Sequence, residues 1–280
     1  MTCTSVLTVK DLHIALEKGE ALYPLVKGLS FAVGRGEVLG LIGQSGCGKS
    51  ITCLSLLDLL PAGLRRTRGE VWLNGTSISQ LTAPDLRSHR GQGAAMILQN
   101  PMSCFNPIVR IRHHFLETLD SHRLTDPDRG MQRVRESLDE MGFTNPEEIL
   151  GLYPFQMSGG MLQRVMIALA LSLEAPLLIA DEPTTDLDVL SQDRILNLLR
   201  GLRDKHEMGI LLVTHDLGVI ASLADTVAVM EDGEIVETGS VAQIFSEPVH
   251  PFTKMLLKAH FGLYGVFADI PALREGMRQR

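Results

Sequence analysis

The run "VLGLIGQSGCGKSITCLSLL" constrains this chain more than any other stretch. An apolar strand-like segment ends in a glycine-rich turn, and a helix-forming segment follows at once. The turn itself, Gly43, Gln44, Ser45, Gly46, Cys47, Gly48, Lys49 and Ser50, fits the pattern G-x-x-x-x-G-K-[ST]. Glycines let the backbone wrap around an anion with its N–H groups, the start of a helix adds partial positive charge, and Lys49 adds a full one. The product is a phosphate cradle, with the Ser50 hydroxyl placed to hold Mg2+. A glycine-rich turn that binds nothing would give Lys49 and Ser50 no reason to stand where they do. Cys47 fills a free position of the pattern. Helix starts lower thiol pKa values, so a reactive thiol is one reading and a silent small residue the better one.

The rest of the chain continues the alternation. Strand-like runs "VLTVKDLHIAL" and "LSFAV" precede the cradle, and the helix "SITCLSLLDLL" after it is expected to stop before Pro61. A hairpin is expected at Asn74-Gly75 and another at Asp232-Gly233. The buried-strand candidate "GAAMIL" leads to Gln99. From Pro101 to about Phe155 the pattern changes to helices with prolines and charges, an inserted helical subdomain. After Ser158 come a helix to about Leu173, the strand "LLIADE", a helix from about Val189 to His206 and the strand "GILLVTH". Such alternation implies an α/β fold with a mostly parallel sheet covered by helices.

Composition excludes several classes. With 26 basic and 33 acidic residues the net charge is −7, and no window is dense in Lys and Arg, so nucleic acid is not an expected partner. Mean hydropathy is +0.12, yet apolar runs break well before the roughly 18 residues a membrane span needs. The first residues alternate apolar and polar and carry acids, unlike a secretory signal. Cys3, Cys47, Cys53 and Cys104 form no CxxC pair, so neither a zinc site nor a disulfide framework is expected. A reduced, cytosolic protein is the simplest reading.

Two further strand ends carry chemistry. "LLIADEP" closes in adjacent acids: Asp181 fits a metal-supporting carboxylate of a phosphate-binding nucleotidase. Strand alternation would turn Glu182 the other way, free to polarise an attacking water as general base. "VTHD" ends the later strand in His215, in the position of a sensor of the terminal phosphate. The run "LYPFQMSGGMLQRVMIALA" enters a good helix through Ser158, Gly159 and Gly160, although each glycine costs about 1 kcal/mol relative to alanine inside a helix. A serine N-cap with a flexible entry would account for the first of these residues and leave the second glycine unexplained.

With these pieces the sequence resembles the ATP-binding-cassette ATPases from Val6 to about Phe245. Gly43 to Ser50 is similar to the Walker A motif, "LLIADE" to Walker B, Gln99 to the Q-loop glutamine, "TTDLD" ending in Asp188 to the D-loop, His215 to the H-loop histidine and "MSGGMLQR" to the family signature. The resemblance implies a P-loop, RecA-like core with an N-terminal antiparallel β subdomain over 1–100 and 166–245, a helical subdomain over 101–165 and a short C-terminal extension over 246–280. It implies ATP and Mg2+ as cofactors, with Ser50, Gln99 and Asp181 around the metal. It also implies that Ser158, Gly159 and Gly160 cap the γ-phosphate of ATP held by a second ATPase subunit, so that two chains sandwich two nucleotides. The family stacks an aromatic ring on adenine; Tyr23 is the candidate, against an ordinary loop tyrosine. Met161 departs from the glutamine of many members.

"QNPMSCFNP" and "HPFTKMLL" resemble the oligopeptide, dipeptide and nickel importer branch. The lack of a cysteine after Cys104 and the tail "KAHFGLYG" lean to nickel, with a peptide importer as the alternative and a non-transport ATPase as a remoter one. The branch implies a partner ATPase of different sequence, two transmembrane permeases, an indirect extracytoplasmic binding protein and a peripheral place on the cytoplasmic face of the inner membrane. His113, His114 and the 12 methionines read as helix and packing positions rather than nickel ligands. Phe105, Asn106 and Pro107 read either as a permease-gripping surface or as subdomain core.

Overall fold

The computed structural model describes residues 5–122, 126–185 and 187–264. Cys3, Asp186 and residues 265–280 of the C-terminal extension lie outside them. In chain order the elements are β1 (Ser5–Lys18), β2 (Ala21–Gly34), β3 (Val38–Gly43), α1 (Lys49–Leu56), β4 (Leu64–Leu73), β5 (Thr76–Ser77), α2 (Ala83–His89) and β6 (Ala95–Ile97). Helices α3 (Ile111–Ser121), α4 (Pro127–Glu140), α5 (Pro146–Gly151) and α6 (Gly159–Leu171) follow, then β7 (Leu177–Asp181) and α7 (Val189–His206). The chain closes with β8 (Gly209–Val213), α8 (Leu217–Leu223), β9 (Thr226–Glu231), β10 (Glu234–Ser240), α9 (Val241–Ser246) and α10 (Pro251–Tyr264).

Contacts divide the chain into two compact units, residues 1–80 with 209–280, and residues 81–208. In the first, β2, β1, β4 and β5 form an antiparallel sheet in that order. Its edge strand β2 contains Pro24, which lacks an N–H to donate and is tolerated at an edge. The same unit pairs β3 in parallel with β8 and β9, and β10 returns antiparallel along β9. Every residue of β3 is buried, as befits a parallel strand covered on both faces. Gly40 of β3 is small because a Cβ there would come within 2.5 Å of Ile220 Cδ1 on α8. The second unit holds the parallel pair β6 and β7 together with α2 to α7.

Both expected hairpins turn where they should. Asn74 and Gly75 have φ of 48° and 78°, and Asp232 and Gly233 have 46° and 88°, the left-handed pair that a two-residue turn matched to strand twist requires. Two expectations need correction. Helix α1 stops before Pro61 but already at Leu56, short of the Leu60 to which the run reads: Asp58 takes φ of 53°, and Leu59 N–H donates to Leu54 O and Asp58 N–H to Ser55 O. This is a glycine-type helix stop built on an aspartate, so no glycine announces it. The runs before the cradle are also longer than they read, because β2 starts at Ala21 and takes in Tyr23.

Candidate functional site

Each unit carries one part of the expected site. In the first unit the strand β3 delivers Gly43 to the start of α1, and the turn has no room for a side chain at Gly43 or Gly48. A Cβ on Gly43 would lie 2.2 Å from Met230 O. Gly48 is the N-cap of α1, with φ of 110° and no side-chain cap, and a Cβ there would stand 2.9 Å from Met230 Cε and 3.3 Å from Leu25 O. Met230 of β9 and Leu25 of β2 thus press on the turn and fix its shape. The buried Lys49 ammonium donates to Gly43 O at 2.8 Å and Gln44 O at 3.0 Å, which holds the charge inside the turn. Gln44, Ser45, Gly46 and Ser50 are exposed. Cys47 is buried, and burial pushes its thiol up despite the nearby Lys49 ammonium, so the silent reading of this thiol is the one that fits.

His215 follows β8 and is exposed; the next residue, Asp216, caps α8 by accepting from Gly218 N–H at 2.7 Å. Tyr23 is half exposed at 52%. It lies in β2 opposite Leu16 rather than in a loop, two residues before the Leu25 whose carbonyl touches the cradle.

In the second unit, β7 ends at Asp181, which is buried. Glu182 lies beyond the strand with φ of 52°, so alternation does not set its direction. A left-handed glutamate is uncommon and costs of order 1–3 kcal/mol. It is held by Thr185, whose hydroxyl donates to Glu182 Oε2 at 2.7 Å. Behind it, Gln163 of α6 donates to Pro183 O at 2.8 Å and ties the turn to the signature helix. Neither Thr185 nor Gln163 stands out in the sequence; only the "EPTT" run hints that a hydroxyl sits within reach of the acid. Gln99 is exposed just past β6.

Ser158 is the N-cap of α6, accepting from Met161 N–H at 3.2 Å. A Cβ on Gly159 meets no described atom within 4 Å, whereas one on Gly160 would meet Ser191 Oγ at 3.3 Å. The second glycine therefore has a local reason that its sequence does not suggest: the start of α7 lies against it. That start is fixed by Asp188, whose carboxylate accepts from Ser191 N–H at 3.0 Å and from its hydroxyl at 2.6 Å. The Ser191 hydroxyl, with help from its N–H, holds the Asp188 carboxyl below the usual range. Among the described residues no cluster of three or more His, Cys, Asp or Glu could hold a metal ion. No helix among them is long and apolar enough to cross a membrane.

A family model described as ABC transporter matches residues 26–185, a span holding the cradle, Gln99, the Ser158 turn and both strand-end acids. The chain belongs to the ABC transporter family. It is 50% identical to the nickel import ATP-binding protein NikD of Rhodospirillum rubrum over 93% of this chain and 97% of that one. With the protein of the same name from Pseudomonas putida it shares 46% over 91% and 96%. Among solved structures, a dimeric post-hydrolysis state of the ATP-binding cassette MJ0796 bound to ADP and Pi is similar at a TM-score of 0.73 and 25% identity, over 84% of this chain and 98% of that one. An ATP-binding subunit of an ABC transporter is similar at 0.70 and 28%, over 93% and 95%. The α/β cassette fold, with an antiparallel sheet and a helical segment beside parallel strands, is that of ABC ATPases. ATP is accordingly the nucleotide of this ABC cassette.

Proposed function

We propose that this chain is the ATP-hydrolysing motor of a nickel importer. The observation that carries the proposal is the similarity, along nearly the whole chain, to nickel import ATP-binding proteins of two organisms at 50% and 46% identity.

The cradle from Gly43 to Ser50 binds the phosphates through its backbone N–H groups and Lys49. Glu182 acts as general base on the attacking water, supported by its position just past a buried strand and by the Thr185 hydroxyl that fixes one of its oxygens. His215 contacts the γ-phosphate and orients that water. Tyr23 stacks on adenine; the support is its exposed ring, two residues before the Leu25 whose carbonyl borders Gly48. Ser158, Gly159 and Gly160 meet the γ-phosphate bound to a second subunit, which an uncluttered helix start favours, and Asp188 lines the same junction between subunits.

The donor set suits Mg2+: the Ser50 hydroxyl, the Gln99 amide oxygen and the Asp181 carboxylate are hard oxygens, with one carboxylate as a magnesium–phosphate site calls for. When bound, the ion neutralises charge on the β- and γ-phosphates. The partners are an ATPase subunit of different sequence, two membrane permeases and, indirectly, an extracytoplasmic binding protein. The chain works peripherally on the cytoplasmic face of the inner membrane.

The test is transport. The chain is co-expressed with the permeases encoded beside it, and uptake of radioactive nickel is compared with that of a labelled dipeptide. Nickel uptake that depends on Lys49 is expected. Dipeptide uptake equal to or above nickel uptake would sink the nickel assignment and favour the peptide importer.

A further inference from the structure

Within the first unit, a cavity of about 330 Å3 joins two elements far apart in sequence. Ile42 and Gly43 at the end of β3 line one side, with His215 and Leu217; Leu256 and His260 of α10 line the other. Helix α10 is anchored by its own packing and not by the cavity. Phe252, Thr253 and Leu257 are buried, and just before the helix the Glu237 carboxylate of β10 accepts from the N–H groups of Val249 at 2.8 Å and His250 at 2.9 Å. A firmly seated helix therefore presents one imidazole, His260, to the same space as His215. Gly43, the first residue of the phosphate cradle, lines that space too.

We infer that α10 is part of the hydrolysis machinery, with His260 as a positioning residue for His215. The inference rests on His215 acting at the γ-phosphate. An imidazole contacts an oxygen usefully only in one ring orientation and tautomer, and the group met by its other nitrogen selects both. His260 supplies such a group from across the cavity, directly or through a bridging water, for which the volume has room. Leu256 and Leu217 form apolar walls that limit how far the His215 ring can swing.

The experiment uses the full chain assembled with its partner subunits and measures ATP hydrolysis. His260→Ala is expected to lower kcat about tenfold, the scale on which removing the orienting partner of a histidine acts, with KM for ATP and melting temperature unchanged. His260→Gln, which keeps a donor and an acceptor, restores most of the rate. Leu256→Trp fills the cavity without altering either imidazole and lowers kcat as well. A wild-type kcat in His260→Ala or in Leu256→Trp overturns the inference, as does a loss that His260→Gln fails to restore. His215→Ala run alongside separates the readings. Wild-type turnover in it removes the γ-phosphate assignment itself, whereas an inactive His215→Ala beside a normal His260→Ala removes only the role of α10.

Discussion

At the scale of single residues, the cradle is defined by what cannot be added to it. Gly48→Ala forces a Cβ into a backbone with φ of 110° and against Met230 Cε at 2.9 Å. The expected cost is about 1–3 kcal/mol, read as a lower melting temperature, together with loss of binding to a fluorescent ATP analogue. Wild-type affinity in this variant would refute the cradle. Glu182→Gln should leave that binding nearly intact, abolish turnover and prolong the closed pair of subunits; wild-type turnover would remove Glu182 as the base. Motif spacing is what singles these residues out, because phosphate chemistry dictates both residue type and interval. The direction of Glu182 is not, because a glutamate at φ of 52° obeys no local propensity and is held by Thr185 from three residues downstream.

At the scale of elements, helix starts carry the argument. Aspartate caps as well as serine, so Ser158→Asp should keep the melting temperature of the wild type. Its charge would face the partner's phosphate, and ATP hydrolysis by the assembled pair should fall by an order of magnitude or more. Full activity would show that no anion approaches α6. Asp188 gives a pH dependence whose sign follows from its depressed pKa. The folded state favours the carboxylate, so the stabilisation of α7 is present above the ordinary aspartate range and fades as pH falls through the lower folded value. Asp188→Ala should therefore melt below wild type near neutrality, and the two curves should converge in acid. A gap that persists in acid would assign the effect to something other than ionisation. Elements with local signals, such as the hairpins at Asn74-Gly75 and Asp232-Gly233, were open to sequence reading. The end of α1 was not, since Asp58 stands where glycine usually does, and neither was Gly160, whose neighbour Ser191 arrives from the next helix.

For the whole molecule, the proposed function leaves two half-sites that no single chain completes. The isolated chain is expected to bind ATP yet hydrolyse it slowly, with specific activity rising as the partner ATPase subunit is titrated in. A rate independent of partner and of protein concentration would contradict the shared site. No spacing in the sequence points to α10, because its relation to His215 exists only after β3, β8 and the C-terminal helix are brought together. Gly159 carries a different lesson. With no described atom within 4 Å of its absent Cβ, alanine there should be harmless to folding, even mildly favourable by up to about 1 kcal/mol. A library of variants sorted for cellular abundance should therefore keep Gly159→Ala, while the same library grown under dependence on transport should lose it. The distance between those two selections is a map, position by position, of the sites whose residue is chosen for a neighbouring chain's benefit.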